Sequence, residues 1–71
     1  MTLPSTFAER LKELRVERGL SIEKLSKHLD GISHTAIGYW ELNKREPKLE
    51  AVIKLALFFG VSVGYLAGVE N

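Results

Sequence analysis

The chain has 71 residues, of which 45% are hydrophobic, and this suits one small folded domain rather than a disordered segment. It contains no cysteine, which excludes disulfides, thiolate metal sites and cysteine nucleophiles. The formal net charge of +1 does not by itself indicate a nucleic-acid partner. We therefore expect residues 1–71 to form a single domain whose chemistry has to be found in motifs rather than in composition.

Several further classes of protein fit the sequence poorly. The longest apolar run, residues 55–59, is too short to cross a bilayer, and the N-terminus lacks the pattern of a secretory signal. The two histidines are not accompanied by further residues in a metal-ligand pattern, and the sequence has no nucleophile–base pair or glycine-rich phosphate loop. We expect a cytoplasmic protein that is not an enzyme, with no catalytic residue, no metal, no cofactor and no membrane partner.

Apolar residues recur at helical spacing between short breaks, which predicts five helices and no strand. The first predicted helix covers residues 7–18, with Thr6 and Glu9 as its capping box. The second covers residues 22–29 and begins after Ser21, a favourable N-cap residue.

Three more helices complete the prediction. Ser33 caps a third helix at residues 34–42, and Ser62 caps a short fifth helix. The fourth, at residues 49–59, is apolar around so much of its circumference that we expect it to be the central, most buried element. Its expected core residues are Leu49, Val52, Ile53, Leu55, Ala56 and Phe59.

Two short helices joined by a tight turn containing glycine form the unit that places its second helix in the DNA major groove. Here residues 21–42 have this pattern, and Ile37 and Trp40 are expected to point into the core. The role of Tyr39 remains open, since it could contact DNA or be a half-buried packing residue. His34 could alternatively be an ordinary surface histidine. The residues predicted to read bases are His34, Thr35, Gly38 and Tyr39.

A polar, mostly basic segment follows the third predicted helix and is placed to contact the DNA backbone. Hydroxyl groups at the helix caps offer further phosphate contacts, since the free amides of a helix N-terminus attract anions. The alternative for the basic residues is a simple solubilising loop. The predicted phosphate-binding residues are Ser21, Ser33, Asn43, Lys44, Arg45 and Lys48.

Three stretches, taken in order, resemble the lambda-repressor-like (XRE) helix-turn-helix family. They are RLKELRVERGLS at residues 10–21, IGYWELNKREP at residues 37–47 and LFFGVSVGYLAG at residues 57–68. The resemblance implies an all-α fold, a compact five-helix bundle with its helix-turn-helix at helices 2 and 3. It also implies a largely buried ion pair between Arg15 and Glu41.

The same resemblance implies a phage or bacterial transcriptional regulator that binds double-stranded DNA. We expect a repressor that binds a palindromic operator as a homodimer through the major groove. The C-terminal end of such domains often mediates pairing, although its apolar residues here could equally belong to the core. The candidate dimer contacts are Val61, Val63, Tyr65 and Val69.

Several positions depart from the family pattern. Ile22 stands where a glutamine commonly contacts the DNA backbone, Gly38 lies within the recognition helix, and the Asp30–Gly31 turn is one residue longer than usual. Asn43 stands where glycine is commoner, but asparagine tolerates the left-handed conformation. These departures keep open a second hypothesis, a protein-interaction module such as an antitoxin or adaptor. The sequence is compatible both with a complete small regulator and with the N-terminal domain of a longer one.

Overall fold

The computed structural model describes residues 6–70, and this part of the chain folds into five α-helices with no strand. The helices are α1 (Thr6–Glu17), α2 (Ile22–Lys27), α3 (His34–Glu41), α4 (Leu49–Phe59) and α5 (Val63–Ala67). The predicted all-helical fold is confirmed, and the predicted boundaries differ by at most two residues. None of these five helices is both long and apolar enough to span a membrane.

Serine caps fix where three of the helices begin. The Oγ atoms of Ser21, Ser33 and Ser62 accept hydrogen bonds from the amides three residues later at 3.1, 3.1 and 2.9 Å. Each bond satisfies an amide that has no partner inside its helix. The predicted capping box at Thr6 is wrong, because Thr6 is the first residue of α1 rather than the residue before it. The N-cap of α1 therefore lies outside the described residues.

Every helix contributes at least one fully buried aliphatic side chain to the centre of the core. These side chains are Leu11, Leu25, Ile37, Leu55 and Leu66. Burying each one contributes about 1.5–3 kcal/mol of hydrophobic stabilisation, so all five helices depend on the same cluster. Trp40 packs beside this cluster with only 6% of its surface exposed, as predicted.

One side of α4 faces solvent, which corrects the expectation that this helix is buried nearly all round. Leu49 and Ile53, predicted as core residues, are 53% and 40% exposed, and Leu57 is 77% exposed. These three residues are four positions apart and form one stripe along α4. The opposite side packs inward through Val52, Leu55, Ala56 and Phe59. No other helix of the described chain covers the exposed side.

Arginine side chains in α1, and that of Arg18 directly after it, reach the C-terminal ends of other helices. The Arg18 Nη2 atom donates to the carbonyl oxygen of Phe59, the last residue of α4, at 3.0 Å. Arg10 donates to the carbonyl of Tyr65 in α5, and its guanidinium carbon lies 4.2 Å from the centre of the Tyr65 ring. Helix C-termini present carbonyls with partial negative charge, so each contact pairs a cation with a favourable end. A third arginine, Arg15, reaches the end of α3.

Candidate nucleic-acid interface

The turn between α2 and α3 is held from two sides. Leu29, two residues after the end of α2, is buried in the core. From α4, the Lys54 Nζ atom donates to the carbonyl oxygen of Asp30 at 3.0 Å. Gly31 has φ of +75°, a left-handed conformation that a side chain would strain. The turn that links α2 to α3 is therefore held by a buried side chain, a hydrogen bond from α4 and a glycine conformation.

The outer face of α3 presents the residues that the sequence predicts as base readers. Ile37 is fully buried on the inner face, whereas His34 and Thr35 are exposed. Tyr39 is 39% exposed, and the position of a Cβ on Gly38 would meet open space. The four residues lie on one face, because 34 and 38, like 35 and 39, are one helical turn apart. The side chains of His34 and Thr35 on this face are exposed to solvent.

The N-terminus of α3 offers backbone donors to the same face. The Ser33 side chain accepts from Ala36, and the Ser33 carbonyl accepts from Ile37 at 3.2 Å. Within the described chain, this leaves the amides of His34 and Thr35 without an acceptor. Free amides and the positive end of the helix dipole together favour an anion at this position.

The C-terminus of α3 ends in a Schellman motif centred on Asn43. Asn43 has φ of +57°, its amide donates to the Trp40 carbonyl at 3.1 Å, and the Lys44 amide donates to the Tyr39 carbonyl at 2.9 Å. This turn reverses the chain toward the outer face of α3. The Arg45 guanidinium carbon then lies 4.9 Å from the centre of the Tyr39 ring.

Arg15 and Glu41, which the resemblance pairs, lie in contact. Arg15 Nε and Nη2 donate to the two carboxylate oxygens of Glu41 at 2.7 and 2.9 Å, and Nη1 donates to the Leu20 carbonyl at 2.8 Å. The side chains are only 13% and 6% exposed. The hydrogen bonds to Glu41 raise the pKa of Arg15 above its ordinary value. The pair neutralises Glu41 and fixes the end of α3 to α1.

Basic side chains continue beyond α3. Lys44, Arg45 and Lys48 are all exposed, and the Arg45 guanidinium lies over the Tyr39 ring. Arg45 and Lys48 also border an open cleft of about 400 Å³ beside the N-terminal part of α3. Ser21 lies exposed at the start of α2. The predicted phosphate-binding residues are thus accessible to a ligand.

A family model for helix-turn-helix proteins (HTH_3) matches residues 11–66, most of the chain. The chain belongs to this helix-turn-helix family. It is 38% identical over 60 residues to an uncharacterised SPbeta prophage-derived HTH-type transcriptional regulator, YonR, of Bacillus subtilis, covering 84% of this chain and 55% of the relative. It is equally similar to the CTXphi phage repressor RstR of Vibrio cholerae, covering 84% and 53%.

A further relative is the HTH-type transcriptional activator BcrR of Enterococcus faecalis, which is 36% identical over 65 residues, or 92% of this chain and 31% of BcrR. The chain thus spans about half the length of YonR and RstR, and less of BcrR. No solved structure was found to match it.

In this helix-turn-helix chain, the candidate dimer residues do not form one exposed patch. Val61 and Val63 are half-buried and pack against the core. Tyr65 is half-buried, with the Arg10 guanidinium over its ring. Of these four residues, only Val69 is largely exposed, at 72%. The exposed stripe of α4 is the larger apolar surface, and the sequence pattern gave no sign that it faces outward.

Three basic residues that tie separate parts of the fold together were also missed from the sequence. Arg10, Arg18 and Lys54 all donate to backbone carbonyls. A carbonyl belongs to every residue, so no residue-type pattern marks such a contact in advance. The contact between Arg45 and Tyr39 had a weak signal in the sequence. Asn43 lies between them, and asparagine tolerates the left-handed conformation that turns the chain back.

Proposed function

We propose that this helix-turn-helix protein is a sequence-specific DNA-binding transcriptional regulator that acts in the cytoplasm. The observation that carries the proposal is the exposed outer face of α3, bordered at one end by free amides and at the other by Lys44, Arg45 and Lys48. The buried Arg15–Glu41 pair fixes this helix to the core. A recognition helix needs this combination of a rigid support and an unoccupied polar face.

In the proposed complex, α3 lies in the major groove and its first residues reach base edges. The His34 imidazole would donate to or accept from guanine, and the Thr35 methyl would contact a thymine methyl. Open space above Gly38 would allow the backbone to approach the DNA closely. Tyr39 extends the same face by a further turn.

Phosphate contacts would set the position and most of the affinity of the complex. The His34 and Thr35 amides would bind one phosphate at the N-terminus of α3, assisted by the hydroxyl groups of Ser21 and Ser33. Asn43, Lys44, Arg45 and Lys48 would bind phosphates beyond its C-terminus. Each basic contact releases counterions, so the affinity should fall steeply with added salt.

We further propose that the protein represses transcription as a homodimer on a palindromic operator. One α3 face offers few side chains for base recognition, so a second copy would supply the remaining discrimination through a second half-site. The similarity to the phage repressor RstR supports repression. Exposed apolar residues on α4 and at Val69 offer surface for pairing with another copy.

The test of DNA binding begins with selection from a random duplex library, followed by fluorescence anisotropy on the enriched sequence. His34→Ala and Thr35→Ala should change which bases are preferred at particular positions, each contact contributing about 1–3 kcal/mol of discrimination. The double change Lys44→Ala/Arg45→Ala should weaken binding to all sequences. It should also reduce the slope of log K against log salt by about 1.8, or about 0.9 for each contact.

The matched control removes two lysines that lie away from α3 and its basic segment. Lys12→Ala/Lys27→Ala changes the net charge equally at two exposed positions. If this control reduced affinity and salt slope as much as the Lys44/Arg45 change, nonspecific charge attraction would explain binding and the proposed face would be wrong. Failure to enrich any sequence would contradict sequence-specific recognition.

Sedimentation equilibrium tests the dimer and identifies its surface. Leu57→Lys places a charge at the most exposed position of the α4 stripe, whereas Val69→Lys places one near the C-terminal end of the described chain. If two copies pair through α4, the first variant should become monomeric and the second should not. A wild-type protein that remains monomeric both alone and on a palindromic duplex would contradict the proposed dimer.

The exposed stripe of Leu49, Ile53 and Leu57 also favours a second candidate function, an interaction module such as an antitoxin or adaptor. In that case a different protein would cover the stripe. A stoichiometric complex with such a protein, abolished by Leu57→Lys and unaffected by His34→Ala, would favour it. Enrichment of a DNA sequence whose recognition depends on His34 would favour the regulator instead.

A further inference from the structure

Tyr39 and Arg45 form a stacked pair at the C-terminal end of the candidate interface. The Arg45 guanidinium carbon is 4.9 Å from the centre of the Tyr39 ring, within the range of a cation–π contact. Tyr39 is 39% exposed, so the pair lies at the surface. The exposed basic side chain of Arg45 therefore has a preferred position before any ligand binds.

Local backbone structure explains why these two residues meet. Tyr39 lies in the last turn of α3, and its carbonyl accepts the Lys44 amide in the Schellman motif. The left-handed conformation of Asn43 turns the chain back, so that the next residues run beside the helix they have just left. Arg45 then covers one face of the Tyr39 ring.

This arrangement changes what Tyr39 can do. One face of its ring is occupied by Arg45, so that face does not contact a base or sugar. A free arginine loses much rotamer freedom when it binds a phosphate, and an arginine already held on a ring loses less. The guanidinium donors at its edge remain available while its flat face is stacked.

We propose that Tyr39 is a positioning residue that acts on DNA through Arg45 rather than a residue that reads a base. Its aromatic ring holds the Arg45 guanidinium beside the recognition helix, where it binds a backbone phosphate. This inference rests on the proposed function as a DNA-binding protein. It assigns the affinity contribution of Tyr39 to the ring and none of it to the phenolic hydroxyl.

Lys44 provides a matched contrast within the same segment. It is adjacent to Arg45, is also exposed and carries the same charge, but no aromatic ring of residues 6–70 is in cation–π contact with it. A change at Tyr39 should therefore couple to a change at Arg45 and not to one at Lys44.

The experiment measures duplex affinity and its salt dependence for single and double variants, using the sequence enriched by selection. Tyr39→Phe, which keeps the ring, should bind within about twofold of wild type, and Tyr39→Leu, which removes it, should lose about two- to fivefold. In an Arg45→Met background, Tyr39→Leu should have no further effect. In a Lys44→Met background, it should lose the same two- to fivefold as in wild type.

A second readout uses the free protein and needs no DNA. Protons of the Arg45 side chain above the Tyr39 ring should resonate upfield in NMR spectra, retain this shift in Tyr39→Phe and lose it in Tyr39→Leu. Circular dichroism of each variant checks that the helices remain folded.

Two results would overturn the inference. One is a loss of affinity in Tyr39→Phe as large as in Tyr39→Leu, which would give the role to the hydroxyl. The other is an equal effect of Tyr39→Leu with and without Arg45, which would make Tyr39 an independent contact. Wild-type protein that selects no DNA would contradict the proposed function itself, and the NMR shifts would still report whether the stacked pair exists.

Discussion

Basic residues in two regions of this protein have opposite surroundings. Three arginines in or just after α1 each bind the end of another helix: Arg10 at α5, Arg15 at α3 and Arg18, which directly follows α1, at α4. In the segment between α3 and α4, by contrast, the side chains of Lys44 and Lys48 are exposed at the surface. The first group acts within the fold, and the second is available to a partner.

This difference explains why the formal net charge of +1 is a poor guide to the partner of this protein. Charges bound within the fold, such as Glu41 on Arg15, contribute little to the field outside. What an approaching DNA would meet is the local sign of the surface near α3. The four predictions that follow test whether the two regions can be separated by experiment, in order of expected effect on stability.

The largest effect is expected at the buried ion pair. Glu41→Ala would leave the Arg15 guanidinium largely buried without its carboxylate and should cost about 3 kcal/mol of unfolding free energy. For a domain of this size, that corresponds to a fall in Tm of about 12 °C or more in a thermal melt. The matched control is Glu50→Ala, since Glu50 forms an exposed ion pair with Lys54 at 3.5 Å. The control should cost less than about 1 kcal/mol. Equal losses in the two variants would contradict the structural role of Arg15.

Arg18→Met should have an intermediate effect. It removes the hydrogen bond to the Phe59 carbonyl at the end of α4 and should cost about 1 kcal/mol, or about 4–8 °C in Tm. The dependence of DNA affinity on salt should be unchanged, because Arg18 lies outside the proposed phosphate contacts. Lys12→Met, within the preceding helix α1, serves as the control and should leave Tm nearly unchanged. A reduced salt slope in Arg18→Met would place Arg18 at the DNA and contradict the separation of the two regions.

Asn43 tests whether the turn before the basic segment is set by backbone conformation. Asn43→Ala should cost about 1 kcal/mol, because alanine tolerates the left-handed region less well than asparagine. Asn43→Gly should be at least as stable as wild type, since glycine adopts this conformation freely. Urea denaturation of the three proteins should therefore rank glycine and asparagine above alanine. An alanine variant as stable as wild type would show that this turn is not strained.

The smallest effect on stability is expected at Lys48. Lys48→Met should change the unfolding free energy by less than about 0.5 kcal/mol, because the side chain is exposed. It should nevertheless reduce the salt slope of DNA binding by about 0.9. Arg18→Met should therefore lower Tm without changing the salt slope, whereas Lys48→Met should reduce the salt slope with little change in stability. A Lys48 variant with an unchanged slope would remove this residue from the proposed phosphate contacts.

Much of the fold could be predicted from the sequence because its signals are local. Serines at positions 21, 33 and 62 mark helix starts through a hydrogen bond three residues away, and periodic apolar residues mark the faces. The exposed stripe of α4 escaped prediction for a physical reason. When a helix is apolar nearly all round, the pattern cannot say which side its neighbours cover, and that depends on how the other helices pack.

The residues of the candidate site also divide into those that local sequence signals predict and those that depend on how the chain folds. The outward direction of His34 and Thr35 follows from the inward direction of Ile37, which periodicity alone indicates. The pairing of Arg15 with Glu41 spans 26 positions, and only the family resemblance suggested it. The stacking of Arg45 on Tyr39 depends on a chain reversal at Asn43, so its geometry emerged only with the folded backbone.

The exposure of His34 and Thr35 has a consequence for how such proteins diverge. Neither side chain forms a hydrogen bond or ion pair with another residue of the described chain, and neither is buried. Substitutions at such positions usually change stability by less than about 0.5 kcal/mol. Descendants of this protein can therefore sample new target preferences one codon at a time while every intermediate remains folded.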